Sequence, residues 1–165
     1  MGILLLLFLS EKAYAVCYYA AYTGDNYVVM GQGYGLSSFY LWNSSSSTES
    51  ITSVTFSFSS SIYKVFGWAF ANYTWNCSVA EPPGYSQISC TYNQGIPVNG
   101  YELFGIYVSG PNFGAIPGAS SDITDSVSMQ VLSNLGRTCS PLTSFPSWIR
   151  HALDNGLMIW ATPLR

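Results

Sequence analysis

Two short cysteine-bearing segments flank a proline-rich turn in the middle of this chain, and this pattern limits the folds open to it. The first segment carries Cys77, the second carries Cys90, and both have the character of short β-strands. The stretch between them, Glu81–Tyr85, contains two prolines and a glycine, which favour a tight turn. Two strands joined by such a turn can bring their cysteines to the separation that a disulfide requires. The spacing therefore predicts a Cys77–Cys90 bridge across a hairpin, with Trp75 close enough to cover it.

The cysteine count is even, which indicates paired disulfides. Four cysteines allow three connectivities. Proximity favours Cys77–Cys90 and leaves Cys17–Cys139 to join the two ends of the chain. Zinc is the rival use of cysteine, but the chain has no C-x-x-C pair and a single histidine, His151. No metal or cofactor is therefore expected.

Alternation of apolar and polar residues marks several strands that each bury one face. The strands fall at 51–59, 101–109 and 126–132. The residues predicted to face inward are Val54, Phe56, Phe58, Phe104, Ile106, Val108, Val127, Met129 and Val131. Aromatic and β-branched strands separated by Gly/Pro turns are typical of an antiparallel β-sandwich.

The segment from Ile51 to Val131 resembles an immunoglobulin-like repeat of bacterial and archaeal surface proteins, known as domain of unknown function eleven. The residues that carry the resemblance are Val54, Thr55, Phe56, Trp75, Cys77, Cys90, Gly100, Phe104, Ile106 and Val108. The resemblance implies an immunoglobulin-like sandwich with a surface role and with no shared catalytic residues.

The domain layout follows from these patterns. The sandwich core is expected at 51–135, preceded by a β segment and serine-rich loop at 16–50 and followed by a tail at 136–165. In the tail, Pro146–Trp160 has the pattern of a short amphipathic helix.

The N-terminus has the pattern of a secretion signal. Ile3–Leu9 is an unbroken apolar run, and Ala13-Tyr14-Ala15 has the small-x-small form of a signal-peptidase site. The run is shorter than the roughly 20 residues that span a bilayer. We therefore expect a signal peptide at 1–15, no membrane span after its removal, and an extracellular or cell-surface location.

Charge is scarce in this chain. Only 8% of residues are charged, while 16% are aromatic. Nucleic-acid binding needs clusters of Lys and Arg, so that class is excluded. A Ser/Thr/Asn-rich surface favours assembly or glycosylation, and three sequons offer acceptors at Asn43, Asn72 and Asn76.

Several residue sets resemble catalytic or metal sites, but the simpler interpretation of each is favoured. Ser147, His151 and Asp154 fit the polar face of one helix better than a triad, whose members usually come from different elements. Asp122 and Asp125 share a loop that could help to hold calcium, although their spacing is not that of an EF-hand.

Two further candidates are equally weak. Glu81 and Glu102 have the residue type of a glycosidase pair, but nothing places them across a cleft. Lys64 is the one lysine beyond the predicted signal, and a buried Lys can cross-link surface sandwiches. The chain is therefore not expected to be an enzyme.

The segment after the predicted cleavage site suggests how the protein functions. Val16–Met30 is apolar and Tyr-rich, and it has the pattern of a hairpin or of two edge strands. The serine-rich stretch Asn43–Ser50 is expected to be an exposed, mobile loop. Val16–Met30 could complete the sheet of an identical neighbour by strand addition.

The sequence thus favours a secreted structural or adhesive surface protein that self-associates, in its sharper form a pilus-like filament subunit. The surface composition also resembles that of archaeal extracellular filament subunits. The alternative is a secreted carbohydrate-binding module whose exposed aromatic rings stack on cell-surface glycans, although alternation favours the core for most of these rings.

Overall fold

The computed structural model describes residues 16–23, 26–31, 34–58, 64–70, 74–80, 87–109, 120–122, 127–142 and 162–163. None of these residues is helical. The predicted signal peptide at 1–15 and the predicted helix Pro146–Trp160 lie outside the described residues.

The described residues form strands that belong to two sheets. The strands of the larger sheet are β1 (Tyr18–Thr23), β2 (Asn26–Gly31), β3 (Tyr34–Asn43), β5 (Lys64–Phe70), β8 (Tyr101–Ser109), β9 (Ser120–Asp122), β11 (Ser140–Pro141) and β12 (Thr162–Pro163). The strands of the smaller sheet are β4 (Ile51–Phe58), β6 (Asn76–Val79), β7 (Gln87–Ile96) and β10 (Val127–Ser133), in the order β10-β4-β7-β6. The predicted all-β sandwich is confirmed.

The smaller sheet forms because its central strand alternates cleanly. On β4, Val54, Phe56 and Phe58 are buried, whereas the intervening Thr55 and Ser57 are partly exposed. Both neighbours of β4 are antiparallel to it, β10 on one side and β7 on the other. The period-two pattern therefore fixes which face of this sheet meets the core.

Strand β3 pairs with three other strands of the larger sheet. Along one edge it pairs with β8, from Tyr34 opposite Ser109 to Trp42 opposite Tyr101. Along the other edge it pairs first with β2, near Val28, and then with β1, from Thr23 to Tyr19. The strands β1 and β2 therefore follow one another along β3.

Of the two arrangements predicted for Val16–Met30, the hairpin is wrong, whereas the alternative of two separate strands agrees with β1 and β2, although each of them also pairs with a second short strand. The hairpin is formed instead by β2 and β3, where Gly31 lies opposite Tyr34. β1 and β2 are separated by two residues, and both are antiparallel to β3 along the same edge. They therefore run in the same direction and do not pair with each other. Val16–Met30 consequently lies in its own sheet in this structure, and no donated strand is needed to cover β3.

The boundary expected between residues 50 and 51 falls inside the sandwich. Strand β3 precedes that boundary, and its partner β8 follows it. Residues 16–50 supply three strands of the larger sheet, so the described chain has one core rather than a core with an appendage.

Aromatic rings from both sheets meet in that core. Phe39 of the larger sheet lies 4.8 Å from Phe56 of the smaller sheet, centroid to centroid. Phe104 lies 5.4 Å from Phe56 and packs edge-on against Trp75 at 5.1 Å. Tilted and edge-on rings at these distances are favourable aromatic geometries.

Two disulfides link segments of the sandwich. Cys77 on β6 bonds Cys90 directly opposite on β7, with the Cα atoms 4.0 Å apart. Cys17 bonds Cys139 across 122 residues and ties the start of β1 to the segment after β10. This second bond holds the N-terminal strand against its own domain, which disfavours exchange of that strand with another copy.

The prediction of an exposed loop holds for only part of the serine-rich stretch Asn43–Ser50, because Ser45, Ser46 and Thr48 are exposed. Its other residues pack into the domain, and the fully or largely buried ones are Asn43, Ser44, Ser47 and Glu49. Its backbone and side chains bind the segment that leads into β1. The Ser47 hydroxyl accepts a hydrogen bond from the backbone N–H of Tyr18 at 2.8 Å, and the N–H of Thr48 donates to the carbonyl of Val16 at 2.8 Å. Serine and threonine hydroxyls supply here the partners that the backbone requires.

Candidate functional site

The predicted glycan acceptors lie in different environments. Asn43 is fully buried, and its Nδ2 donates to the carbonyls of Glu49 at 2.8 Å and Ile96 at 3.0 Å. A glycan on Nδ2 is incompatible with this burial and with both hydrogen bonds, so the structure contradicts Asn43 as an acceptor. Asn76 is exposed at the start of β6, where its glycosylation stays a prediction. Asn72 lies outside the described residues.

Glu102, half of the predicted carboxylate pair, has a structural role. Its Oε2 accepts a hydrogen bond from Trp75 Nε1 at 3.2 Å, and its Oε1 accepts one from the N–H of Leu103 at 3.1 Å. Glu102 therefore holds the indole that packs on the core. Its suggested partner, Glu81, lies outside the described residues.

The remaining chemical candidates are not brought together. Asp122 ends β9 and Lys64 begins β5, on different strands of the larger sheet. Asp125 and the set Ser147, His151 and Asp154 lie outside the described residues. Across the described ranges, no three His, Cys, Asp or Glu side chains are grouped to hold a metal.

A buried carboxylate escaped the sequence analysis. Glu49 is 4% exposed, and its Oε1 lies 3.7 Å from the guanidinium of Arg137. Among the residues that the structure describes, neither carboxylate oxygen has a hydrogen-bond partner. Glu49 stands in a run of Ser and Thr residues that predicts a solvated loop, so only the fold reveals its burial. The pair supports the end of the sandwich near the Cys17–Cys139 bond.

The outer face of the larger sheet carries a different kind of surface. On β8, Phe104 and Ile106 point into the core, so Tyr101, Leu103 and Tyr107 point outward. The matching outward positions on β3 lie opposite them in the register. We call the surface formed by Leu36, Ser38, Tyr40, Tyr101, Leu103, Gly105 and Tyr107 the tyrosine face.

One end of the tyrosine face is a pair of tyrosine rings. Tyr101 is 59% exposed, although it is a large aromatic residue in a strand. The ring of Tyr40 lies 6.3 Å from it, and the two planes are inclined by 33°. Trp42, directly opposite Tyr101, is almost fully buried, so the exposed aromatic surface begins at Tyr40 and Tyr101. The pair thus places two tilted tyrosine rings side by side, with the Tyr101 ring the more exposed of the two.

The environment of Tyr40 keeps its phenol neutral. Burial raises the pKa of Tyr40 above 10.0, and the nearby Tyr101 phenol raises it further. A neutral phenol can both donate and accept a hydrogen bond. Tyr40 therefore offers a ring face and an uncharged hydroxyl over the whole ordinary pH range.

The residues at the centre of the tyrosine face are small. Gly105 has no side chain and is buried, whereas the short side chain of Ser38, directly opposite on β3, is exposed. Leu36 lies beside the centre and opposite Tyr107, which is partly exposed at the far end. The face thus has a tyrosine near each end, and Tyr101 and Ser38 are its most exposed residues.

The alternation of residues along 101–109 carries a signal for this face. Alternation on 101–109 placed Phe104, Ile106 and Val108 inside, which is confirmed. The same alternation places Tyr101 and Tyr107 outside, yet alternation was used to favour the core for most aromatic residues. Outward tyrosines on a strand are the feature that indicates a binding surface.

Within the ranges described above, no helix is long and apolar enough to cross a lipid bilayer.

No family model and no curated protein matches the chain. The resemblance to domain of unknown function eleven therefore stays a prediction.

Three solved structures with a similar arrangement share little sequence identity with this chain. An uncharacterised protein from Nocardia farcinica with an immunoglobulin-like fold is 17% identical, with a TM-score of 0.45, over 76% of this chain and 90% of that chain. A non-cellulosomal cohesin from Archaeoglobus fulgidus is 9% identical, with a TM-score of 0.45, over 82% of this chain and 96% of that chain. A biomass-sensing module from Clostridium thermocellum, described as resembling a family 3 carbohydrate-binding module, is 7% identical, with a TM-score of 0.43, over 77% of this chain and 99% of that chain. Because these TM-scores are below 0.5, the function has to be argued from this chain's own surface.

Proposed function

We propose that this protein is an extracellular carbohydrate-binding module that stacks uncharged sugar rings on the tyrosine face. The observation that carries the proposal is the exposure of Tyr101 beside the ring of Tyr40. Sugar rings have apolar C–H faces, and these pack against the flat faces of aromatic rings. Exposed tyrosine also keeps a hydroxyl that can bind the hydroxyls of the sugar.

The chemistry of the surrounding residues supports an uncharged ligand. No outward-facing residue of β3 between positions 36 and 42, or of β8 between positions 101 and 107, carries a charge. An anionic or cationic polymer would find no counter-charge on this stretch. A neutral glycan needs only ring faces and hydroxyl partners, and tyrosine and serine supply both.

The disulfides support an extracellular location. Both pairs of cysteines are bonded in this structure. Bonds of this kind persist in oxidising environments such as the cell exterior. The few charged residues and the predicted signal peptide support the same location.

Depletion from solution by insoluble polysaccharides tests the proposal. The protein is mixed with cellulose, chitin, starch and xylan, and with alginate as an anionic comparison. We expect retention by at least one neutral polymer and none by alginate. Tyr101→Ala should weaken binding about five- to tenfold, the loss expected for one aromatic stacking contact.

Leu135→Ala is the matched control, because Leu135 is 58% exposed in the turn after β10, away from the tyrosine face. It should bind as tightly as the parent protein. Equal weakening by Leu135→Ala and Tyr101→Ala, or retention by none of the neutral polymers, would contradict the proposal.

A further inference from the structure

The turn between β7 and β8 adjoins the exposed ring of Tyr101. The turn consists of Pro97–Gly100 and leads directly into Tyr101 at the start of β8. Among the described residues, three large hydrophobic side chains are exposed, and two of them are Val98 at 40% and Tyr101 at 59%. Asn99, between these two, is exposed as well. The exposed surface of Tyr101 therefore continues into the turn.

The turn has a closed and well-defined shape. The N–H of Gly100 donates a hydrogen bond to the carbonyl of Pro97 at 2.8 Å, and Asn99 has a φ of 63°. A positive φ at the third residue of a four-residue turn is the type II form. A Cβ at Gly100 would lie 2.9 Å from the ring and from the carbonyl oxygen of Pro97. The turn therefore has little room to change its shape.

The buried residue Asn43 holds this turn against the sandwich. Its backbone N–H donates to the carbonyl of Gly100 at 2.9 Å, and its carbonyl accepts from the N–H of Asn99 at 2.9 Å. Its side-chain amide donates to the carbonyl of Ile96, the residue immediately before the turn, at 3.0 Å. These three hydrogen bonds fix the backbone that carries Asn99, which is the kind of rigid support that a specific binding site needs.

Asn99 combines an unfavourable backbone conformation with an unused polar group. Among the described residues it is the one non-glycine residue with positive φ. Glycine adopts this conformation without steric cost, whereas asparagine adopts it at some cost. The side-chain amide of Asn99 is exposed and has no hydrogen-bond partner within the described ranges. An unfavourable conformation that presents a polar group at the surface points to a function for that group.

The amide of Asn99 suits the hydroxyl groups of a sugar. Its oxygen accepts hydrogen bonds and its nitrogen donates two, whereas each sugar hydroxyl both donates and accepts. Because Asn99 and Tyr101 are two residues apart, their Cα atoms are separated by at most about 7 Å. A ring that stacks on Tyr101 can therefore present the hydroxyls at its edge to Asn99. Stacking accepts any ring with an apolar face, whereas hydrogen bonds depend on where the hydroxyls point.

We infer that Asn99 is the specificity-determining residue of the proposed glycan site, and that its side-chain amide binds the hydroxyls of the sugar ring that stacks on Tyr101. The inference rests on the proposed function, since it assigns a residue to the same site. It extends that site from the tyrosine face onto the turn between β7 and β8.

Release of the intact protein by free sugars tests the inference. The protein is bound to the neutral polymer that retains it. It is then released with increasing concentrations of glucose, or of galactose, mannose, xylose or N-acetylglucosamine, each of which differs from glucose at one ring position. We expect one of the five sugars to release the parent protein at a clearly lower concentration than the others.

Asn99→Gly is the decisive variant, because glycine keeps the positive φ without strain and removes only the amide. It should weaken retention by the polymer about three- to tenfold, the loss expected for a hydrogen bond. The preference for the most effective sugar should shrink by the same factor, because the preferred sugar alone makes that bond. The urea midpoint should equal or exceed that of the parent, which establishes that the variant is folded.

Asn134→Gly is the matched control, since it removes an exposed asparagine from the turn after β10. It should change neither the retention nor the order of the sugars. Equal weakening by Asn134→Gly and Asn99→Gly would contradict the inference.

The outcomes distinguish the inference from the proposed function. If Tyr101→Ala weakens retention but Asn99→Gly does not, the function stands and the inference is wrong. The inference is also wrong if Asn99→Gly weakens retention without changing the preference among sugars, or if the five sugars release the parent protein equally or not at all. If no neutral polymer retains the protein, both are wrong.

Discussion

The side-chain amide of Asn43 donates a hydrogen bond to the backbone carbonyl of Ile96 at 3.0 Å, deep inside the sandwich. The same nitrogen donates to the carbonyl of Glu49 at 2.8 Å. One asparagine at the end of β3 thus satisfies two buried carbonyls, one of them on a strand of the opposite sheet.

Replacing the side-chain amide of Asn43 should lower the stability of the fold. Asn43→Ala leaves both carbonyls buried without their side-chain donor, and we expect the free energy of unfolding to fall by about 3 kcal/mol. Asn76→Ala removes an exposed asparagine and should change it by less than about 0.5 kcal/mol. Urea unfolding of the two variants measures the difference, and similar losses would show that the Asn43 hydrogen bonds contribute little.

A pair of glycines provides a matched test of the backbone. Gly95 and Gly136 both have positive φ, 65° and 70°. A Cβ at Gly95 would collide with the backbone carbonyl of Ile51, whereas one at Gly136 would meet nothing within 4 Å. Gly136→Ala should therefore lower the free energy of unfolding by about 1 kcal/mol, because alanine is disfavoured in the left-handed conformation.

Gly95→Ala should cost about 3 kcal/mol or more, because the collision with rigid backbone adds to the same conformational cost. Thermal unfolding of both variants gives the comparison. Equal losses would mean that β4 and β7 can move apart without cost near Ile51, where their register shifts.

The ion pair between Glu49 and Arg137 should reveal itself in a double-mutant cycle. Arg137→Gln leaves a buried carboxylate without its cation, and we expect the free energy of unfolding to fall by about 1–2 kcal/mol. The loss is smaller than for a fully buried pair, because the Arg137 side chain is half exposed. Glu49→Gln removes the charge that needs a partner. The double variant should therefore recover most of the stability lost by Arg137→Gln, and a strictly additive cycle would contradict a coupling between the two residues.

Stability should decline at alkaline pH through two tyrosines. Burial raises the pKa of Tyr19, and burial together with Tyr101 raises that of Tyr40, both from 10.0. Well below pH 10 both the folded and the unfolded state keep these protons, so the stability is unaffected. Above it the unfolded state releases protons that the folded state retains, and the free energy of unfolding falls.

Urea midpoints measured from about pH 8 to about pH 11 follow this decline. Tyr19→Phe and Tyr40→Phe should each make it shallower, because phenylalanine has no proton to release. A decline of unchanged slope in both variants would assign the effect to other groups.

The core was predictable from sequence because period-two alternation determines which side chains share a face. Val54, Phe56 and Phe58 are buried as the pattern predicts, and so are Phe104 and Ile106. The pairing of Cys77 with Cys90 is the one that the turn between them favours.

What the sequence did not predict depends on contacts between distant segments. Asn43 and Glu49 stand in a serine-rich stretch, and composition alone cannot show that hydrogen bonds hold this stretch against Tyr18 and Ile96. The course of β1 and β2 along β3 was missed because pairing partners are not visible in a single strand's pattern. The tyrosine face was missed for the same reason: Tyr40 and Tyr101 become neighbours only when β3 pairs with β8.

The position of bound glycan tests the central claim most directly. Amide chemical shifts of the isotopically labelled protein are recorded while a soluble oligosaccharide of the neutral polymer that retains the protein is added. We expect the largest changes at Ser38, Tyr40, Tyr101, Gly105 and Tyr107, and none at the exposed positions of β10 on the smaller sheet. Changes centred on Ser128 and Gln130 of β10 with the tyrosine face unaffected, or no change at any amide, would contradict the account.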